Sequence, residues 1–185
     1  KKFPRRQYTN ETPIEKLTKL QEALGPDCPT IWLKRDDQLG LTEGGNKTRK
    51  LEFLIGEALS QKADCIITAG AIQSNHCRLT LSACIKEGLD CHLILEERIK
   101  GTYQDNASGN NLLFHLLGAK NIKVVPNTAN IEEELHQLEA SLRKKGHRPY
   151  IIPGGGSNEI GALGYVNAAQ EIQGQLKEKK IQLDA

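Results

Sequence analysis

Methionine is missing from all 185 residues, and no Cys-x-x-Cys pair occurs among the five cysteines. Without a methionine, Lys1 is not expected to be a translation start. The closing "IQLDA" reads like the opening of a strand that continues elsewhere, so the chain is expected to be part of a longer one. Cys28, Cys65, Cys77, Cys84 and Cys91 make an odd count. With no Cys-x-x-Cys pair, this argues against a disulfide framework or a structural zinc site and for a reducing, cytoplasmic setting. Cys77 and Cys84 lie seven apart in a predicted helix and read as buried small hydrophobes. No apolar run is long enough to cross a bilayer, and the basic start "KKFPRRQYTNETP" lacks the apolar centre of a secretion signal. With 25 Lys and Arg against 23 Asp and Glu, the net charge is only +2. Neither nucleic acid nor a membrane is therefore an expected partner. No solenoid repeat, low-complexity tract or linker interrupts the chain.

An apolar fraction of 38% and a charged fraction of 26% are those of a globular chain, long enough for one ordinary domain or two small lobes. "TPIEKLTKLQEALG" has apolar residues at Ile14, Leu17, Leu20 and Leu24, which predicts a helix closed by Gly25. "TIWLKRDD" predicts a short strand running into a loop. From Asp64 strand and helix alternate: "CIITAG", then "SNHCRLTLSACIKEG" capped by Ser74 or Asn75; "CHLILEE", then "GNNLLFHLLG"; "IKVVP", then "NIEEELHQLEASLRKKG"; "RPYIIP", then "EIGALGYVNAAQEIQGQLKEKK". Four such steps with short connections imply an α/β fold with an open parallel sheet. Ligands in such folds sit at the carboxyl ends of strands, which directs attention to "AGAIQSNH", "EERIKGTYQDNASGN", "PNTAN" and "PGGGSNEIG".

A further helix begins after Gly44-Gly45, with Asn46 as its predicted cap. Its apolar stripe runs Leu51, Leu54, Ile55, Ala58, Leu59. Lys47 falls four before Leu51 and seven before Leu54, so it points into that stripe. Lys50 sits one turn on at the stripe's edge, and Arg49 is expected to point to solvent. Burial, a cationic neighbour and the positive end of the helix dipole would each lower the pKa of Lys47. A lysine of that kind is a nucleophilic amine suited to Schiff-base chemistry. The helix start with Lys50 suits an anion such as phosphate. Together they fit an aldehyde that bears a phosphate, such as pyridoxal phosphate. The other reading is a first-turn lysine that snorkels to water.

Ser74 and Asn75 open a helix that follows a strand, so they can serve a bound carboxylate or simply cap the helix. Gln73 is open to either role. His76 can stabilise an anion or be a solvated or satisfied helix-start residue. The "PGGGSNEIG" run can let the backbone approach a cofactor or only turn the chain back, and the turn is the expected role.

"GGNKTRKLEFL", "TAGAIQSNHCR" and "RPYIIPGGGSNEIGALGYV", in that order, resemble the 1-aminocyclopropane-1-carboxylate deaminase/D-cysteine desulfhydrase family. These are fold-type II pyridoxal-phosphate enzymes, relatives of the tryptophan synthase β subunit. The resemblance runs from "FPRRQYTNETPIEKL" to the last residue. It implies a three-layer open parallel sheet with the C-terminal part of the large domain missing. Residues 1–50 would open the large domain, 51–158 form a small α/β domain and 159–185 return to the large one. The resemblance makes Lys47 the Schiff-base lysine, Lys50 a phosphate contact, and Asn75 the partner of the cofactor's 3′-oxygen. Ser74 becomes the residue facing the substrate carboxylate and the proposed nucleophile of ring-opening members; Gln73, Asn75 and His76, its neighbours in the same loop, are the further candidates for substrate contact. The family's glycine-rich phosphate loop, its partner for the pyridine nitrogen and its ring-stacking aromatic would lie beyond Ala185, so the chain alone is expected to be inactive.

The implied activity is elimination of sulfide from D-cysteine, with 1-aminocyclopropane-1-carboxylate deamination as the alternative. A serine dehydratase or racemase of the same fold, or a non-catalytic α/β module, are the remaining alternatives. The expected partners are a small amino-acid substrate and, at full length, a second copy of the chain in a homodimer.

Overall fold

The computed structural model describes residues 3–42, 44–104 and 108–183. Glu43, part of the loop after "CHLILEE" and the end of "IQLDA" therefore lie outside the described residues.

The first prediction is corrected. Ile14–Lys16 is a strand (β1), and only Thr18–Leu24 is helical (α1). Ile14 pairs with Lys34 of β2 (Trp32–Lys34) in an antiparallel ladder. It buries its side chain there, whereas Leu20 and Leu24 of α1 are 45% and 60% exposed. The four apolar residues thus share no stripe, because cross-strand pairing claims the backbone that helical spacing had assigned to a helix.

The other elements fall where the pattern places them. α2 is Lys47–Ser60, β3 Cys65–Ala71, α3 Asn75–Glu87 and β4 Asp90–Glu97. They are followed by α4 Gly109–Leu116, β5 Asn121–Pro126, α5 Ile131–Lys144, β6 Pro149–Ile152 and α6 Glu159–Glu178. The four-stranded sheet has the order β5-β4-β3-β6, and every pairing is parallel. α3 stops at Gly88, whose φ of 70° is the left-handed value that glycine tolerates best.

Two packed faces flank this sheet. On one, Leu51, Leu54, Ile55 and Ala58 of α2 meet Ile66, Cys77, Cys84, Leu93 and Phe114. On the other, Leu135 and Leu142 of α5 cover Cys65, Ile67, Ala69 and Ile94. Strand alternation sends Ile66 and Ile67 to opposite sides. Each fully buried Leu or Ile contributes about 1.5–3 kcal/mol, and α2 alone supplies Leu51, Leu54 and Ile55 at 0% exposure. Cys77 and Cys84 are also fully buried, as the sequence suggested.

The winding sets the position of the site. From β3 the chain steps outward to β4 and β5, and α5 then carries it back across the sheet to β6 on the far side of β3. The winding direction reverses between β3 and β6. The carboxyl ends of β3 and β6 are therefore the switch point, whose crevice is the position where doubly wound sheets bind ligands.

Candidate active site

Three segments converge on the crevice between β3 and β6: the start of α2, the "QSNH" loop after β3, and the glycine run after β6. Lys47 and Lys50 lie three apart, hence on one side of α2. Both are half-buried. The Lys50 ammonium donates to the Gly155 carbonyl (3.2 Å) and to Ser157 Oγ (2.9 Å). Lys47 Nζ donates to Asn46 Oδ1 at 3.0 Å. Asn46 occupies the N-cap position of α2, yet its side chain makes no capping bond; its oxygen serves the lysine instead. Burial, and after it the Lys50 charge, hold Lys47 below the ordinary lysine range. Two of the three causes expected from the sequence therefore act on it.

Arg49 is a correction. It is not directed to solvent but is 3% exposed, gripped by carboxylates of distant elements. α6 covers that side of α2, so the surface that local periodicity assigns to water is a helix interface.

The glycine run does more than turn the chain. Gly154–Gly156 forms a 3-10 turn that wraps the lysine-bearing helix. A Cβ on Gly155 would stand 3.6 Å from Lys47 Cε, and one on Gly156 2.9 Å from Leu54 Cδ1. At positive φ (68° and 61°), both also need a residue that tolerates the left-handed region. Asn158 then caps α6 by accepting from the Gly161 N–H at 2.8 Å.

In the "QSNH" loop, Ser74 is the N-cap of α3 and its Oγ accepts from Cys77 N at 3.2 Å. Gly70 faces it so closely that a Cβ there would lie 2.5 Å from Ser74 Oγ. Asn75 Oδ1 accepts from Asn110 Nδ2 (2.7 Å) and Arg78 Nη2 (3.3 Å). Gln73 turns toward α4: its Oε1 accepts from Asn110 N (2.8 Å) and its Nε2 donates to Ser108 O (3.2 Å). Asn110 thus pins both ends of the loop, a role that "GNNLLF" did not announce.

His76 is neither solvated nor fully satisfied. It is 5% exposed, with Nε2 2.8 Å from Thr68 Oγ1, while its buried Nδ1 has no partner among the described residues. Burial first, then the Lys47 and Lys50 charges, push its pKa down to about 4. Thr68 is a site neighbour that the sequence reading missed, whereas Gly70, Asn110, Gly155 and Ser157 lie in loops to which it directed attention without assigning them a role. Only the glycines and the Ser-Asn pair after them carried a local signal.

A polar cavity of about 640 Å³ lies elsewhere, between the N-terminal segment and the backs of α2 and α6, lined by Arg5, Asn10, Arg49 and Glu171 among others. Neither site lysine lines it, so the chemistry and not the size of the cavity locates the site. At the opposite, amino edge of the sheet, Asp64, Cys65 and His147 bring three metal-ligating atom types within 4.8 Å of one another. There burial and the Asp64 carboxylate push the Cys65 thiol up to about 12, and Asp64 Oδ1 accepts from Arg148 N at 2.9 Å.

Fit to pyridoxal phosphate can be judged from these contacts. A lysine of lowered pKa, a second ammonium beside it, a glycine turn against both lysines with Gly156 packed where a side chain would intrude, and an unpartnered buried imidazole nitrogen suit an aldehyde carrying an anion.

An open parallel sheet with this arrangement at its switch point is the layout of fold-type II pyridoxal-phosphate enzymes. The chain belongs to the pyridoxal-phosphate dependent enzyme family, whose pattern matches residues 6–183. It is 47% identical over 178 residues to D-cysteine desulfhydrase of Yersinia enterocolitica, covering 94% of this chain and 52% of that protein. Against D-cysteine desulfhydrase of Klebsiella pneumoniae it is 46% identical over 177 residues, covering 94% and 52%. The solved structure of an ACC deaminase homologue superposes with a TM-score of 0.80 at 38% identity, over 100% of this chain and 52% of that one. A threonine deaminase superposes at 0.64 with 15% identity, over 95% and 49%, which speaks for the fold alone. The chain therefore spans about half the length of the curated relatives it matches.

Proposed function

We propose that this chain supplies the lysine-bearing half of a carbon–sulfur lyase that converts D-cysteine and water to pyruvate, sulfide and ammonia. The observation that carries the reading is the lysine pair at the β3/β6 crevice, where the Lys47 amine is lowered in pKa by burial and by Lys50. The likeness to D-cysteine desulfhydrases supports the choice of substrate.

In this reading Lys47 would bond the aldehyde carbon of pyridoxal phosphate, Lys50 would face its phosphate and Asn75 its ring oxygen. When bound, the cofactor supplies an electrophilic carbon and a ring that accepts the electron pair left at the substrate's α-carbon. Lys47 takes the α-proton, a role that its lowered pKa favours by keeping more of the amine unprotonated near neutral pH. The substrate carboxylate lies at the start of α3, where backbone N–H groups, Ser74 and the helix dipole favour an anion. Gln73 and His76 complete that wall. His76, with its pKa at about 4, is neutral there and adds no third cation beside the lysines. As the Cβ–S bond breaks, the sulfur leaves with its electron pair, and hydrolysis of the three-carbon enamine gives pyruvate and ammonia.

A second reading, ring opening of 1-aminocyclopropane-1-carboxylate, is favoured by the superposition on an ACC deaminase homologue. That substrate has no α-proton, and Ser74 would attack the ring instead. Incubating the full-length protein with each substrate decides between them. Sulfide and pyruvate from D-cysteine are expected, and 2-oxobutanoate from the cyclopropane substrate with no sulfide from D-cysteine would overturn the first reading. We place the enzyme in the cytoplasm as a homodimer, a setting that five free cysteines suit. Residues 1–50 and 159–185 are assigned to one lobe and 51–158 to the other. α2 runs unbroken through position 50, so the junction falls within that helix.

A further inference from the structure

The first turn of α2 is built against ordinary helix electrostatics. It carries Lys47, Arg49 and Lys50 and no acidic residue, so three cations stand at the positive end of the dipole. Asn46 gives it no side-chain cap. Gly44 and Gly45, at φ of 72° and 137°, lead into it with little stiffness of their own. The stripe of Leu51 and Leu54 orients the body of α2; the direction of its first turn depends further on contacts from other elements.

Arg49 is where those contacts attach. Its guanidinium is bidentate to Asp36, with Nε to Oδ2 at 2.9 Å and Nη2 to Oδ1 at 2.8 Å. It is bidentate again to Glu171 of α6, with Nη1 to Oε2 at 2.8 Å and Nη2 to Oε1 at 3.2 Å. Thr12 Oγ1 also accepts from Nη2 at 3.2 Å. Glu171 is itself held by Lys34 Nζ at 2.5 Å and by Thr12 N at 3.0 Å. Two cations, Arg49 and Lys34, balance two anions, Asp36 and Glu171. Burial opposes the charge on Glu171, but the bonds from Arg49 and Lys34 prevail and bring its carboxyl down to about 2. The main chain grips at the same place: a Cβ on Gly164 of α6 would lie 2.3 Å from the Arg49 carbonyl oxygen.

Arg49 stands about 160° around the helix from Lys47 and about 100° from Lys50, at 100° per residue. Fixing its direction fixes theirs. We infer that Arg49 is a positioning residue: held by Asp36 and Glu171, it locks the rotation of the first turn of α2 and so keeps the Lys47 and Lys50 ammonium groups side by side at the β3/β6 crevice. The inference rests on the roles proposed above for those two lysines. A lysine at position 49 keeps the charge but loses the planar fork that meets two carboxylates at once.

The test is the pH profile of Lys47 acetylation, read by mass spectrometry in the full-length protein without cofactor. It compares wild type, Arg49→Lys, Arg49→Met and Leu142→Ala. The last removes core volume under α5 and lowers stability without touching α2. In wild type, Lys47 should titrate below the surface lysines. In both Arg49 variants its midpoint should rise toward the ordinary lysine value. A rise of about one pH unit would slow labelling at neutral pH roughly tenfold. Leu142→Ala should lower Tm and leave the profile in place. An unmoved Lys47 profile in the Arg49 variants, with only a lower Tm, would show Arg49 to be a plain structural brace and overturn the inference. If Arg49→Met does not fold, Arg49→Lys and Asp36→Asn decide by the same readout. Borohydride trapping of wild type with pyridoxal phosphate separates the two claims: absence of a pyridoxyl group on Lys47 defeats the functional reading, whereas Arg49 is judged by the labelling profile.

Discussion

Thr68 Oγ1 lies 2.8 Å from His76 Nε2 and also 2.8 Å from the Ile152 carbonyl oxygen. The carbonyl can only accept, so the single hydroxyl proton goes to it. The imidazole must then donate from Nε2, which leaves Nδ1 as a bare acceptor. One hydroxyl thereby joins β3, the start of α3 and the end of β6, the three pieces that frame the crevice.

His76 makes stability depend on acid. Its folded pKa, at about 4, is below the ordinary 6.5. The unfolded state therefore binds the proton more readily, and stability is full above about 6.5 and falls as pH drops from there through about 4. Urea unfolding of wild type at pH 7.5 and 5 should show this loss, and His76→Gln, which can still donate to Thr68, should lose less over the same interval. An equal loss in both proteins would place the acid sensitivity in other groups.

Lys47→Ala should abolish the borohydride-trapped pyridoxyl adduct in the full-length protein, and an adduct surviving on another lysine would remove the assignment. Lys50→Ala should keep the adduct but weaken cofactor binding roughly 10- to 100-fold, the scale of one or two charge-assisted hydrogen bonds. Titration of cofactor absorbance measures it, and unchanged affinity would exclude Lys50 from the phosphate site.

Ser74→Ala removes an N-cap bond and should cost about 1 kcal/mol of stability. Its effect on turnover should be the larger one, with cofactor affinity nearly unchanged. Steady-state rates beside a Tm shift check this; wild-type turnover with a lowered Tm would make Ser74 a cap and nothing more.

Two glycines of α6 should respond in opposite directions. Gly164→Ala puts a methyl 2.3 Å from the Arg49 carbonyl and should destabilise by about 1–3 kcal/mol. Gly174→Ala meets nothing within 4 Å and should stabilise by about 0.5–1 kcal/mol. Denaturant midpoints of the two variants, compared with wild type, decide it.

Legibility followed the range of the interactions. The lysine pair could be read because three residues of one helix determine its geometry, and the cap at Ser74 because its partner, Cys77, is three residues away. The alternation of strand and helix gave the parallel sheet for the same reason. β1 was misread because its partner strand lies at Trp32–Lys34, and nothing within Ile14–Leu24 reveals it. Arg49 was misread because its two carboxylates are 13 and 122 residues away, and a charge opposite an apolar stripe defaults to water. Gly161 and Gly164, spaced to let α6 lie close against another backbone, were the signal that could have given it away.

The same ion network sets a timetable for synthesis on the ribosome. Arg49 and Glu171 are separated by 122 residues and Lys34 and Glu171 by 137. At about 5–20 residues per second, the lysine-bearing helix waits on the order of ten seconds before its counter-charge is made. During that interval Arg49 has only Asp36 of its two carboxylates, and Lys34 lacks both of its side-chain acceptors on α6, Glu171 and Gln175. Until α6 emerges, the network is short one of its two anions, and the start of the lysine-bearing helix keeps a larger net positive charge than in the folded chain.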